Sequence, residues 1–470
     1  MSTKVAKASR SMDTVMTVEA VVINIAQCMR DAADVVTFLE AVPSTPLLSS
    51  LQQWMMITRT KIQSSWPHLS VLSLSCNDRA AALAVMPAIA SVRAEDDFFR
   101  QFEPHASACS AAFLAFLCTV ADKWPAKLLH VSLTMPTNDD DVARVCQALR
   151  RCDRLGSLQI NAVHQFHASV LGAAHHIRRL DWVYDGYSSV VARSLHWSAA
   201  ITAWLNAGPT THIGFHRLGF HAFSSVGPLW SQHDDDLALA KALASVPSLM
   251  LQGADSIVDM LVHVHAPLHA LTQLSVNIEG GARVQGLLGL VDLAKITHLD
   301  ITLRGPTKVD LSDVAAALPH LTSLQELKLN EVALLNAPAE ATTTSLRVVC
   351  LERVECSELA ARRLLQWISS SPCLREVAWD DLDFADIPAT ELATNLRSWI
   401  AVGVHSVRLA SAGLDDAGAT EMAQVLCDTH HASGLTLDLR FNEEMNDDGF
   451  RELLNALGTC TNATLVLSET

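Results

Sequence analysis

One aliphatic frame recurs along most of this chain and limits what it can fold into. In Leu324-Gln325-Glu326-Leu327-Lys328-Leu329, aliphatic residues hold the first, fourth and sixth positions, and Asn330 follows. The frame returns at Leu69/Leu72/Leu74, Leu128/Val131/Leu133, Leu155/Leu158/Ile160 and Ile177/Leu180/Trp182. It continues at Val246/Leu249/Leu251, Leu271/Leu274/Val276, Ile296/Leu299/Ile301 and Leu346/Val349/Leu351, then at Leu374/Val377/Trp379 and Val404/Val407/Leu409. Partial copies stand at Ile213/Phe215, Leu437/Leu439 and Leu465/Leu467. Side chains alternate along a strand, so the fourth and sixth positions point together into the body. From Leu274 onward the fourth position steps by 25, 28, 22, 28, 30, 30 and 28 residues. That period belongs to a repeated strand-plus-helix unit.

The spacers supply the helices. DVARVCQALR, DLALAKALA, VQGLLGLVDLA, ELAARRLLQWI, ATEMAQVLC and GFRELLNAL each place apolar residues at i, i+3/i+4 and i+7. One such unit cannot fold alone. Six or seven buried aliphatics at ~1.5–3 kcal/mol each are offset by ordering a ~28-residue unit at ~1–2 kcal/mol per residue. Stacking tips the balance, because each unit covers its neighbour. The expected fold class is therefore α/β: a solenoid, or horseshoe, with a parallel inner sheet and outer helices over residues 67–470. It should be irregular around 78–127 and 183–245. Asn77 to Lys127 spans about two periods without a clean strand, so one degenerate copy is expected there.

Residues 1–17 read as a loose N-terminus. Residues 18–66 read as a small helical module, with Val21, Ile23, Ile25 and Met29, then Val35, Val36, Leu39 and Val42, at helical spacing. Pro43 and Pro46 interrupt it before LLSSLQQWMMITRTKI.

Half of the 470 residues are hydrophobic and the net charge is −16. Ample core material argues against disorder, and the acidic balance disfavours nucleic acid or an anionic membrane as partner. The eleven cysteines contain no C-x-x-C and several lie in apolar stretches. They read as reduced core thiols of a cytoplasmic or nuclear protein. No apolar run approaches the ~18 residues that span a bilayer, and no signal peptide is expected.

The frame resembles leucine-rich repeats, and its ~28-residue step with full helices resembles their ribonuclease-inhibitor-like subclass. VHSVRLASAGLDDAGATEMAQVL carries that signature best, and LTLDLRFNEEMNDDGFRELLNAL repeats it with Asn442 at the asparagine position. Most copies depart from it: Val332, Val354, Leu382 and Ala412 replace the asparagine. The N-terminal module resembles an F-box, although the usual Leu-Pro opening and a Cys-Arg-x-Trp-like segment are missing. That resemblance implies docking on the small adaptor of a cullin-type ubiquitin ligase, through Ile23, Ile25, Val35 and Leu39. A simple helical cap over the first repeat accounts for the same pattern.

The polar residues flanking each buried pair line the inner, concave curve. Those singled out for partner binding are Asp181, His216, Asp300, Glu326, Lys328, Glu352, Glu376, Asp380, Arg408, Asp438 and Arg440. A rigid wall of mixed charge suits a protein partner. The expected function is non-enzymatic recognition: a substrate receptor of a cullin-type ligase or, alternatively, a scaffold with no ubiquitin link.

Other constellations read as structural. Asp139-Asp140-Asp141 and Asp234-Asp235-Asp236 directly precede helices, where carboxylates oppose the dipole and accept from free N–H groups. His164/His167, His175-His176, His263/His265 and His430-His431 come without C-x-x-C or H-E-x-x-H, so no metal is expected. His212, His216 and His221 suggest pH-sensitive binding instead. No phosphate loop, nucleophile elbow or dinucleotide fingerprint is present, and no cofactor is expected.

Replacing Leu327 with Asp would put a carboxylate into the stacked core. A large fall in the thermal midpoint is expected; unchanged melting would contradict the repeat assignment.

Overall fold

The computed structural model describes residues 18–29, 32–42, 45–57, 66–70, 74, 76–95, 106–136, 138–162, 167–185, 197–208, 210–218, 233–305, 308–336, 342–381, 387–428, 434–460 and 463–467. The expected loose segment 1–17 lies outside them. The chain forms two compact units, residues 1–177 and 178–470.

The first unit opens with helices Val18–Cys28, Ala32–Glu40 and Pro46–Ile57. Four parallel strands follow: β1 (His68–Ser70), β2 (Ser91–Glu95), β3 (Leu128–Thr134) and β4 (Ser157–Ala162), each paired with the next. Helices Cys76–Val85, Ala106–Lys123 and Asp139–Arg151 alternate with them. Strand β2 is the degenerate copy expected between Asn77 and Lys127. Its frame is Ile89/Val92/Ala94, all buried, with alanine where the other copies carry a large side chain.

The N-terminal helices are fastened to the first strands. Trp66 Nε1 donates to the Ala26 carbonyl at 3.0 Å, and Gln27 Nε2 donates to the Ala88 carbonyl at 2.7 Å. Helix Pro46–Ile57 lies beside Cys76–Val85, as one repeat helix lies beside the next. Val35, Leu39, Leu51, Trp54 and Met55 are buried in this layer.

In the second unit the main strands are β5 (Arg179–Asp185), β6 (His212–Leu218), β7 (Ser248–Gln252), β8 (Gln273–Glu279) and β9 (His298–Arg304). A two-residue strand, β10 (Val309–Asp310), precedes β11 (Glu326–Asn330), and β12 (Val332–Leu334) precedes β13 (Val348–Glu352). Then come β14 (Glu355–Cys356), β15 (Glu376–Asp380), β16 (Ser406–Arg408), β17 (Leu435–Asp438) and β18 (Ala463–Val466). Strands β10, β12 and β14 form a separate three-stranded parallel sheet; the rest form one parallel sheet in chain order. Leu299, Leu327, Val349, Val377, Val407, Leu437 and Leu465 face one another across successive strands. The irregular stretch 183–245 still yields β6, in full register with both neighbours. Between strands run helices such as Asp255–Val264, Glu358–Ser369, Ala389–Val402, Asp416–Asp428 and Asp447–Leu457. Their inner faces bury Leu364, Trp367, Leu396, Trp399, Met422 and Leu453. Among the described residues, no helix is long and apolar enough to cross a membrane.

Two details govern the turns. After β11, β13, β15, β16 and β17 the chain passes through a non-glycine residue with positive φ: Glu331 (58°), Arg353 (52°), Asp381 (53°), Ser411 (50°) and Phe441 (62°). The first four donate their N–H to a carbonyl of the following repeat, at Glu352, Asp380, Ala410 and Arg440. The conformation costs side-chain-bearing residues energy, and the extra ladder bond offsets it. The second detail is Asn442, which is 5% exposed. Its Oδ1 accepts from Ala412 N and Leu414 N, and its Nδ2 donates to the Leu409 and Leu439 carbonyls, at 2.8–3.1 Å. Val332, Val354 and Ala412, which replace the asparagine, are buried apolar side chains; Leu382 lies outside the described residues.

Helix starts differ slightly from expectation. Asn138 and Asn446 are the capping residues, accepting from Asp141 N and Asp448 N. The aspartates that follow occupy the first turns of Asp139–Arg151 and Asp447–Leu457, where they oppose the dipole.

Asn442→Ala removes all four bonds and strands buried donors and acceptors. At roughly 1–3 kcal/mol per unsatisfied group, it should lower the denaturant midpoint at least as much as truncating a core leucine. The same substitution at exposed Asn446 should cost less.

Candidate protein-recognition face

The sheet face opposite the buried aliphatics carries the polar positions, and strand register sorts them into rows. In the second unit the middle row reads Asp181, Gly214, Met250, Ser275, Asp300, Lys328, Cys350, Ala378, Arg408 and Asp438. Preceding it on the same strands lie His298, Glu326, Val348, Glu376, Ser406 and Thr436. Thr302, Asn330, Glu352 and Asp380 lie beyond it.

At the start of the unit, Asp181 stands between two histidines of β6. His212 Nε2 and His216 Nε2 both lie 3.2 Å from Asp181 Oδ1. A carboxylate only accepts, so both rings donate. His216 Nδ1 faces Gln252 Oε1 at 2.8 Å, a second acceptor that favours the doubly protonated, charged ring. His212 Nδ1 pairs with Ser248 Oγ at 2.8 Å. Burial opposes ionisation of Asp181, but hydrogen bonds from both histidines and their charge hold its carboxyl well below the usual range. Burial likewise pushes His216 down, yet bonds to Asp181 and Gln252 and the Asp181 charge leave it raised. Gly214 makes the arrangement possible: a Cβ there would sit 2.4 Å from Asp181 Oδ1 and 2.8 Å from His216 Nε2.

Ser248, His212 and Asp181 lie in the order of a nucleophile, base and acid, but the register accounts for the first link. The same His–Ser rung joins His68 Nδ1 to Ser91 Oγ at 2.6 Å and His130 Nδ1 to Ser157 Oγ at 3.1 Å. Each rung links facing positions of adjacent parallel strands. Among the described residues, no group of three or more His, Cys, Asp or Glu is placed to hold a metal ion.

Farther along, Lys328, Arg408, Arg440 and Arg353 each have a carboxylate. Lys328 Nζ lies 2.5 Å from Glu326 Oε1, and His298 Nε2 lies 3.7 Å from Glu326 Oε2. Arg408 Nε lies 2.5 Å from Asp380 Oδ2, and its Nη2 reaches past Ala378 to within 3.9 Å of Cys350 Sγ. Arg440 grips Asp438 with two parallel bonds, at 2.9 and 2.8 Å. Arg353 Nη2 lies 3.2 Å from Glu352 Oε1 and donates to Asn330 Oδ1. Asp300 accepts from Ser275 Oγ at 3.0 Å. Burial pushes the carboxyls of Asp300 and Asp380 up, against the nearby Lys328 and Arg408 charges.

The residues singled out from sequence thus fall into pairs: Asp181 with His216, Glu326 with Lys328, Asp380 with Arg408 and Asp438 with Arg440. Asp438 is only 8% exposed. Glu376 is exposed, and among the described residues no ion pair reaches it. His212 and Gly214 act together with Asp181, which sequence reasoning did not join. The signal was present: HIGFH brackets a glycine with two histidines, opposite an aspartate one strand earlier. His164, His221 and His430-His431 lie outside the described residues.

The four adaptor candidates are divided. Ile25 is 45% exposed and Ile23 is half-buried, whereas Val35 and Leu39 are buried. Val21, one turn before Ile25, is also exposed.

No protein-family model matches this chain, and no curated protein matches it. Among solved structures it is similar to the complex of Rad7 and Elc1 in yeast, at 12% identity and a TM-score of 0.40, over 96% of this chain and 98% of that one. It is also similar to the TLR13–ssRNA13 complex, at 9% identity and a TM-score of 0.23, over 73% of this chain and 63% of that one.

The Asp181–His216 pair makes stability depend on pH in a definite sense. The raised His216 contributes fully below its unfolded value of ~6.5 and less as pH rises through its folded value; the lowered Asp181 contributes above ~3.9 and is lost as pH falls. Stability of the second unit should therefore decline from about pH 6.5 upward, and Asp181→Asn should flatten that slope. In NMR titration, His216 should stay doubly protonated above the ordinary histidine range; titration at the ordinary value would contradict this geometry. Gly214→Ala should have the same effect as Asp181→Asn.

Proposed function

We propose that this chain is a non-enzymatic recognition protein that holds a protein partner on the open sheet face of its second unit. One observation carries the reading: side-chain chemistry on that face is set in fixed rows by a backbone register that does not depend on it. Paired charges at Glu326/Lys328, Asp380/Arg408 and Asp438/Arg440 present a rigid polar relief, which favours specificity over bulk affinity.

The finer form is a substrate receptor of a cullin-type ubiquitin ligase, with the N-terminal helices docking on the small adaptor. Burial of Val35 and Leu39 confines any such contact to the face of Val18–Cys28 that exposes Val21 and Ile25. A second reading, a scaffold whose N-terminal helices only cap the first repeat, is favoured by the bonds from Trp66 and Gln27 to backbone carbonyls. Capping satisfies a terminal repeat without any partner.

Affinity capture from cell lysate with the full chain tests both levels. Glu376→Lys with Thr436→Lys, both on the open face, should release the captured partner. Glu421→Lys with Glu452→Lys, on helices, should retain it. Retention by both variants would overturn the recognition face. Val21→Asp with Ile25→Asp should release the cullin adaptor under the receptor reading; no adaptor with wild type leaves the scaffold.

A further inference from the structure

We infer that the partner brings two cations four residues apart in an extended segment, lying across the second unit from β9 to β15 with an uncharged side chain between them. The inference rests on the recognition reading above and adds the chemistry of the occupant.

It starts from which charges are already compensated. Of the eleven face residues singled out, seven are carboxylates, three are Lys or Arg and one is His216. All three cations are engaged, by Glu326, Asp380 and Asp438. Asp181 is engaged by His212 and His216, and Glu352 by Arg353. Two carboxylates remain without a cation at ion-pair distance among the described residues. These are Asp300 in the middle row of β9 and Glu376 in the preceding row of β15. A cationic segment meets both without disturbing an existing pair. On these rows an anionic one would have to take Lys328, Arg408 or Arg440 from its carboxylate. Burial raises the Asp300 carboxyl against the nearby Lys328 charge, so a further cation there would stabilise its ionised form.

Register supplies the spacing. Strands β9, β11, β13 and β15 are consecutive in the sheet. Three steps of ~4.8 Å and a two-residue offset of ~6.7 Å put the two strand positions ~16 Å apart. An extended chain rising ~3.4 Å per residue covers ~14 Å in four residues, an even step that keeps both side chains on one face, and the long cationic side chains span the remainder. Between them, β13 presents Val348 and Cys350, half-buried and uncharged. Glu326 and Lys328 on β11 satisfy each other. That floor suits a small or aliphatic side chain.

Fluorescence-anisotropy titration of the full chain at low salt tests this. The probe is a labelled Ser/Ala/Val peptide with two lysines four positions apart, on one face of an extended chain; the comparisons are the same composition with adjacent lysines, and a version with glutamates for lysines. The spaced peptide should bind about fivefold tighter than the adjacent one. Asp300→Asn and Glu376→Gln should each weaken the spaced peptide about fivefold and abolish the spacing preference. Glu421→Gln with Glu452→Gln should leave it unchanged, which separates a site from general attraction to an acidic chain. Both face substitutions are near-isosteric, and an unchanged thermal midpoint shows that the fold is intact. Equal affinity for the two lysine peptides, no binding of either, or insensitivity to Asp300→Asn and Glu376→Gln overturns the inference. Preference for the glutamate peptide, relieved by Lys328→Gln, also overturns it while leaving the recognition reading intact. Captured partners indifferent to the open-face substitutions sink both.

Discussion

Everything in the second unit depends on one coupling: a parallel backbone ladder held in register by aliphatic side chains facing each other through its buried side. Leu299, Leu327, Val349, Val377 and Val407 are each no more than 1% exposed, and each faces its counterpart on the next strand. A slip of one residue would turn every one of them to the other face. The same slip would carry the charged positions inward. The hydrophobic constraint therefore sets the positions of the polar groups although it makes no contact with them.

On the open face, compensation is mostly local. Arg440 and Asp438 are two residues apart on one strand end, and Lys328 and Glu326 share a strand. The Asp181 cluster is different in kind, joining three strands through β5, β6 and β7 and needing a glycine at its centre. Removing one member leaves the others buried among groups they no longer satisfy.

The repeat frame was legible in the sequence because two apolar residues two apart, recurring every 22 to 30 residues from Leu274 onward, fit little besides stacked strand–helix units. Strand β2 was expected from the gap in the period but not located, because Ala94 fills the sixth position and alanine carries little pattern signal. The small sheet of β10, β12 and β14 escaped because strands of two or three residues cannot display a period. The face residues lie at outward strand positions, which side-chain alternation alone dictates. Their pairings were not readable, since Asp181, His212 and Ser248 lie 31 and 36 residues apart and meet only through register. The N-terminal helices show the opposite limit. Apolar periodicity located them, yet Val35 and Ile25 look alike in sequence and differ completely in exposure.

The left-handed residues that close the strands have a bearing on insertions and deletions. Because Glu331, Arg353, Asp381 and Ser411 each tie the strand end to the following repeat, the chain is pinned immediately after leaving the sheet. Slack between that point and the next strand of the main sheet is free to vary. The step from Leu327 to Val349 is 22 residues and that from Val377 to Val407 is 30, yet both pairs meet in the same register. Length changes are absorbed in the connections beyond the pinned turn, which hold helix Ala389–Val402 between β15 and β16 and no helix among the described residues between β11 and β13, so this architecture can gain or lose residues there while the pattern it presents on the sheet stays aligned.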